Sequence, residues 1–484
     1  MNAEYQRSKP LPGYLTVYVS LSIMILLSLI FVLVFGARRN AARMEVEAAA
    51  QTAAESALAE YHRELLERYG LLFIDLSYGT GQPDRLNLAG HLSHWMSRNL
   101  DHESFLPGVS QTSIVSGEVS GMEVEGMRGL CDNEFEALRQ QVMAYYCVLP
   151  GERGITELAD VPALSDLLPE GAGTFAEDRQ VNTQQLQGLT VAELDPVTGE
   201  TMEEPVEDPG NAVNAFRSLP ILSQVLDSGQ SISDAAIDAD ILSHRGIQCY
   251  EGIEAESQHY YETADSVVLE HYFFQKCGNF LEPKTDSDLR YQLEYILWGK
   301  ESDRENLEKT VRRILEIREV VNLGYLFTDP GKRAEAETAA ASFCSLTMTP
   351  ELTSLVAAAI LFAWGYVETL SDLKTLLHGG RIPAVKTAAT WHTDLWDILS
   401  PGTVGAYEGG SGLSYCDFLR MLMAAEGTGT KCLNFLDVCE HEIRQTEGNA
   451  DFRIDGCVDT FRFRAAATVS TGYQADVEMT RGYN

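Results

Sequence analysis

The sequence predicts an α+β fold, predominantly helical. A long N-terminal transmembrane helix continues into an ectodomain with a small antiparallel sheet and a large helical block. Three observations carry this expectation. Residues 14–35, YLTVYVSLSIMILLSLIFVLVF, contain no charge and no proline; at ~1.5 Å per residue they cover about 33 Å, the depth of a bilayer's hydrocarbon core. From Asp288 to Asp397 amphipathic segments with helix start and stop signals follow one another. From Asp451 to Tyr483 apolar and polar residues alternate as in strands.

Composition narrows the function classes. An apolar fraction of 45% in 484 residues allows a real core and argues against global disorder. A formal net charge of -35 repels phosphate backbones, so no nucleic-acid partner is expected. The 9 cysteines are an odd number with no framework spacing, so at least one thiol is left over or pairs between chains.

Residues 1–13, MNAEYQRSKPLPG, form a short polar leader before the apolar run. That run is longer than the ~7–15-residue core of a secretory signal, and Phe35-Gly36-Ala37 is a poor signal-peptidase site. Arg7, Lys9 and the amino terminus precede the span, while Arg38, Arg39 and Arg43 follow it. The positive-inside rule therefore gives a near tie or leans toward a cytoplasmic domain. Residues 36–70 lack proline and are rich in alanine, glutamate and arginine, which predicts one helix from Tyr14 to about Tyr69, a helical stalk capped by Gly70. Glu64 and Arg68 are spaced for an i,i+4 pair. Ala49, Ala50, Ala53, Ala54 and Ala57 mark a thin helix that other backbones can approach. Two readings stand for that candidate helix-packing interface: packing against its own domain, or against copies of itself and related subunits.

A leader ending in glycine, a span directly after it and a long amphipathic helix resemble a type IV pilin or pseudopilin. Gly13-Tyr-Leu-Thr-Val-Tyr18 and Gly36-Ala-Arg-Arg39 resemble the TadE/TadG-like proteins of tight-adherence (Tad) pilus systems in Gram-positive bacteria. The resemblance implies peptidase cleavage between Gly13 and Tyr14 and a domain outside the cell. It departs from the pilin pattern at Tyr18, where the mature fifth residue is usually glutamate.

After the stalk, residues 71–149 read as an α/β head part. Leu71–Leu76 is a short buried strand, Tyr78-Gly79 a turn, Leu86–Arg98 a helix, Gln111–Met127 two short strands or a bulged one, and Cys131–Cys147 a helix. Residues 150–220, with PVTGETMEEPVEDPGN, read as an acidic loop-rich insertion. Residues 221–450 form the helical domain. Ser302-Asp-Arg-Glu305 is a capping box, Asp329-Pro330-Gly331 a stop, and Thr349-Pro350 a new start. Val356–Val367 is apolar but short and flanked by Glu351 and Glu368, which points to a buried core helix rather than a second span. YQLEYILWGKESDRENLEKTVRRILEIREVVNLGYL, AWGYVETLSDLKTLLHGGRIPAVKT and GLSYCDFLRML resemble an uncharacterised family of clostridial-type bacteria associated with Tad-type pilus genes; the resemblance covers the anchor and roughly Tyr272–Arg444.

Residues 451–484 read as C-terminal strands returning to the head, with a phase shift between Val458 and Phe461 that marks a bulge or a turn. Phe461, Phe463, Ala465, Ala467 and Val469 share one face, and pairing is expected with Leu71–Leu76 and Gln111–Met127.

Little chemistry is signalled. Cys432, Cys439 and His441 lack the tight pairs and fourth ligand of a zinc site. Trp391-His392-x-Asp394 has no nucleophile motif beside it, GGSGLS at 409–414 lacks the nucleophile-elbow spacing, and the acidic Glu203–Asp208 lacks calcium-loop order. No catalytic residue, metal or cofactor is assigned. The expected partners are the membrane, pilus or secretion-platform subunits, and further copies of the chain. The leading reading is a single-pass, extracytoplasmic, pseudopilin-like component. The alternatives are a membrane-anchored binding module or envelope protein unrelated to pili and, third, a tethered hydrolase.

Overall fold

A computed structural model describes residues 12–100, 117–148, 162–169, 173–194, 201–206, 208–227, 229–238, 240–243, 247–253, 262–285, 287–346, 349–469 and 472–483. The first elements are α1 (Pro12–Leu58), β1 (Ile74–Asp75), α2 (Arg85–Leu100), β2 (Gly117–Gly129) and α3 (Glu136–Val148). Then come α4 (Leu164–Leu167), α5 (Phe175–Gln187), the hairpin β3 (Thr190–Leu194) and β4 (Thr201–Pro205), α6 (Asn211–Arg217) and α7 (Ile221–Val225). The chain continues with α8 (Glu262–Lys276), α9 (Gln292–Trp298), α10 (Asp303–Thr328), α11 (Pro330–Leu346) and α12 (Thr353–Leu377). It ends with α13 (Tyr415–Ala425), α14 (Thr428–Arg444), β5 (Cys457–Val469) and β6 (Gln474–Gly482). The fold is α+β and predominantly helical, as expected.

The chain divides into two compact units. The first holds residues 1–137, 248–256 and 451–484, and the second holds 138–247 and 257–450. The head part therefore ends near residue 137 rather than 149, and the first unit also takes in residues 248–256.

In the first unit, β5 is the central strand of an antiparallel sheet, with β2 along one side and β1 and β6 along the other. The C-terminal strands do pair with the Leu71–Leu76 and Gln111–Met127 regions, although 111–116 lie outside the described residues and the first strand shortens to Ile74–Asp75. β2 is one bulged strand: the register skips Ser120 and Glu125. The phase shift near Val458 is also a bulge, since Arg128 and Gly129 pair with Thr460 and Val458 and leave Asp459 over. The extra residue turns the Asp459 carboxylate inward, where Arg128 grips it through two bonds of 2.9 and 2.6 Å. Phe461, Phe463, Ala465, Ala467 and Val469 all point into the core, against α1 and α2.

α1 does not run to Tyr69. It ends at Leu58 because the His62 amide leaves the helical ladder and donates to the Phe73 carbonyl at 2.8 Å. Leu65–Tyr69 then forms a single π-turn, closed by left-handed Gly70 (φ 73°) whose amide donates to Leu66. The Glu64–Arg68 pair forms at 3.1 Å. α3 also starts later than expected: Asn133, Glu134 and Phe135 are successive left-handed residues (φ 49°, 56°, 63°), which delay the helix to Glu136.

In the second unit α12 is the central helix, with α10, α11, α5, α6 and α7 around it. The helical run Pro350–Leu377 as a whole is long and apolar enough to cross a membrane, yet it is mostly buried here, as expected of a core helix. A second cluster packs α9 on α14 and α13, and α13 on α8. Ser302 caps α10 through the Glu305 amide, and Asp329 separates α10 from α11. The described parts of 150–220 are not merely a solvated loop: they include α4, α5, α6 and the β3–β4 hairpin, and α5 and α6 pack on α12 because Leu186 and Val213 supply apolar faces.

Candidate functional site

The candidate interface is α1 itself. Every described residue from Tyr14 to Phe35 is exposed or nearly so, with Tyr14 at 79% and Phe35 at 71%, and the helix is long and apolar enough to cross a membrane. Gly13 is already helical, and Tyr14 and Tyr18 stand exposed on this half; residues 1–11 of the leader lie outside the described residues. From Ala42 onward the helix changes partner. Ala42, Val46, Ala49, Ala50, Ala53, Ala54 and Ala57 are buried, packed with Leu88, Leu92 and Met96 of α2 and with the apolar face of the sheet. The alanine stripe is therefore not an open face for neighbouring subunits. Small side chains let α2 and β6 come close, and the chain's own head fills the seam. Arg43 pairs with Glu47 at 2.7 Å, and the Arg39 guanidinium lies 4.9 Å from the centre of the Tyr473 ring.

At the far end, the Glu60 carboxylate accepts from the Trp95 indole at 2.8 Å and pairs with His91 Nδ1 at 2.9 Å, while Tyr78 stacks on His91. The Tyr483 hydroxyl donates to the Leu58 carbonyl. These contacts terminate α1 and lock α2 and the end of β6 to it.

The second unit contains a buried charge network that sequence reading missed. Arg318, Glu368, Asp372 and Lys386 are fully buried. Lys386 Nζ donates to Glu368 at 2.5 Å, to Asp372 at 2.7 Å and to the Thr390 carbonyl at 3.2 Å, using all three of its hydrogens. Arg318 donates to Asp372 at 2.8 Å and to the carbonyls of Pro383 and Ala384. Glu368 also accepts the amides of His392 and Thr393, and Asp372 accepts the Tyr407 hydroxyl. Burial works to raise the Asp372 carboxyl, but Arg318 and Lys386 hold it below its ordinary value. Two cations balance two anions, and each is held by several hydrogen bonds, so the network welds segment 383–407 to α10 and α12. One signal could have found it: Glu368 and Asp372 sit one turn apart on an otherwise apolar helix.

Two further groups stand out. Glu294 is fully buried; its Oε1 accepts from the Phe280 amide and the Tyr415 hydroxyl, and its Oε2 has no hydrogen-bond partner among the described residues. Burial pushes its carboxyl up to about 7. Arg179 and Arg217 both pair with Glu319, at 3.0 and 2.8 Å, and Arg217 lies 3.8 Å from the Tyr366 ring centre. Burial and the neighbouring Arg217 hold Arg179 below its ordinary value.

The motifs set aside in the sequence have structural work. Cys432 and Cys439 are buried on α14, and burial pushes the Cys432 thiol up to about 12. His441 Nε2 accepts from the Gln445 amide at 2.8 Å, and burial holds its ring below the ordinary value. Trp391 and His392 pack on Trp364 and Tyr407, and Asp394 caps the turn at 395–399. In GGSGLS, Ser414 caps α13 through a box with Asp417. Asp208 holds the Gly210 amide and the Asn214 side chain. Among the described residues no group of three or more His, Cys, Asp or Glu is placed to hold a metal ion.

Residues 199–469, more than half of the chain, match a family of unknown function (DUF5702), and the chain belongs to that family. No curated protein and no solved structure matches the chain.

Proposed function

We propose that this DUF5702 protein is a membrane-anchored, pseudopilin-like structural or assembly component of a Tad-type pilus or secretion system, with its large domain outside the cell, acting by subunit packing and not by catalysis. The observation that supports it is α1: one helix whose first half is apolar and bare and whose second half is the spine of an α/β head. The apolar half inserts in the membrane and is free to pack with other membrane helices. The alanine half serves the head, so subunit contacts fall on the apolar half and on the head's outer surface.

The test is the intact mass and N-terminal sequence of the protein extracted from its native membranes, combined with cross-linking in the same cells. Expected are a chain beginning at Tyr14 and cross-links to pilus or platform subunits. An uncleaved chain without such cross-links overturns the reading.

A second reading, a membrane-anchored extracytoplasmic binding module, is favoured by one feature. An open groove of 1260 Å³ runs between α11 and α12, lined by Phe327, Arg333, Glu337, Thr338, Ser354 and Leu361 among others. A monomer that retains a soluble ligand and shows no pilus contacts supports this reading over the first.

A further inference from the structure

The expected stalk would hold the head away from the bilayer. The structure has no free stalk: Ala42, buried at 1% exposure, lies only seven residues past Phe35, about 10 Å along the helix. Two contacts fix the direction in which the head lies along α1. Tyr473, just before β6, meets Arg39, and Tyr483, just after β6, bonds to the Leu58 carbonyl. Arg39 to Leu58 spans about 28 Å of helix at ~1.5 Å per residue. Tyr473 to Tyr483 spans about 33 Å of strand at ~3.3 Å per residue. The lengths agree, so β6 runs alongside α1 and in the same direction. Among the described residues, the end of the head where Val469 and Tyr473 lie is therefore closest to the apolar span, with Tyr473 level with a residue about 6 Å beyond Phe35.

We propose that this end of the head rests in the lipid headgroup layer, with Arg38, Arg39 and Tyr473 as its contact surface; the proposal rests on the anchoring of α1. The occupant follows from continuity, because the surface lies on the helix whose preceding residues, Tyr14–Phe35, are apolar and bare. The chemistry fits phospholipid headgroups. Guanidinium groups bind phosphate oxygens, and a tyrosine ring suits the boundary between apolar and wet layers. Tyr14 and Tyr18 supply such rings at the entrance of the span, and Tyr473, folded in from the other end of the chain, supplies one at the exit. Arg38 and Arg39 are both exposed and Tyr473 is half-buried beside Arg39, so the two guanidinium groups can meet lipid phosphates in a chain whose net charge is -35. Arg43, one turn further on, is engaged by Glu47.

The full chain is reconstituted in vesicles of phosphatidylglycerol and phosphatidylcholine, with the photo-cross-linker benzoylphenylalanine placed singly at Val17, Tyr473 or Glu478. Glu478 is exposed about 17 Å further along β6. Lipid adducts are expected at positions 17 and 473 and at least tenfold fewer at 478. Adducts at 17 but none at 473 would mean that the head stands clear of the bilayer and overturn the proposal. No adducts at 17 would overturn the anchoring reading and this one with it. A melting curve identical to the parent checks that each variant is folded, and the same cross-linker at Gln474, exposed beside Tyr473, repeats the measurement where the change at 473 disturbs folding. Replacing both arginines (R38Q with R39Q) is expected to lower the adduct yield at 473 several-fold; an unchanged yield removes the arginines from the contact.

Discussion

The two units solve the problem of a stable interior in opposite ways. In the first, the seam between α1, α2 and the sheet is apolar and narrow: seven buried positions of α1, six of them alanine, meet leucines of α2 and the phenylalanines of β5. In the second, the central helix carries two carboxylates into the core and neutralises them with Arg318 and Lys386. An alanine seam sets the distance between backbones and tolerates no added volume. A buried ion network tolerates no missing charge, because a lone charge in a low-dielectric interior has nothing to balance its lost hydration. The contrast teaches that each unit has a different weak point.

The sharpest way to break the contrast is Lys386→Met. It leaves Glu368 and Asp372 facing a single cation, and the unfolding free energy should fall by about 3–5 kcal/mol. Adding Glu368→Gln should restore part of the loss. Denaturant titration reads both, and a loss under ~1 kcal/mol for the single change would mean that the network does not hold the unit together.

Glu294 gives the next largest effect, and its sign follows from its raised carboxyl. Its ordinary value is 4.5, and burial lifts it to about 7 in the folded protein. Between those two values the folded state keeps a proton that the unfolded state has lost, so stability falls as pH rises through this window. By linkage the fall reaches about 3 kcal/mol at pH 8. Glu294→Gln cannot ionise, so stability measured at pH 5 and pH 8 should differ less in the variant, by about 2–3 kcal/mol, part of the fall having occurred below pH 5. An identical pH profile in both proteins would mean that Glu294 is ionised throughout.

Ala53→Leu tests the first unit. Ala53 has no exposed surface, and the larger side chain should cost about 1–3 kcal/mol by overpacking. A neutral result would return the alanine stripe to the pool of open surfaces. Arg312→Gln is the smallest change expected. Its pair with Glu308 is solvent-exposed, and its loss should shift stability by under ~0.5 kcal/mol in a thermal melt.

The parts of this architecture legible in the sequence are those encoded by neighbours in the chain. The apolar span, the Ser302 cap, the Gly70 helix end and the alternation of β5 depend on residues a few positions apart. The bulge at Asp459 was visible as a broken alternation for the same reason. The join between the two ends of the chain was also legible, because an apolar strand at each end needs a partner. What escaped reading depends on groups far apart. α1 ends where it does because a carbonyl at Phe73 captures the His62 amide, and no propensity scale records that competition. The charge network unites positions 318, 368, 372 and 386, and Glu368 looked like the polar end of an apolar run until the fold buried it.

By itself, then, the sequence determined that this protein has one bare apolar helix, a helical block and a small sheet, since composition and period act locally. Tertiary structure alone decided which face of α1 the head covers, how close that head comes to the span, and that Arg318 and Lys386 neutralise Glu368 and Asp372. Those outcomes depend on distances between segments remote in the chain, and such distances exist only once the chain has folded.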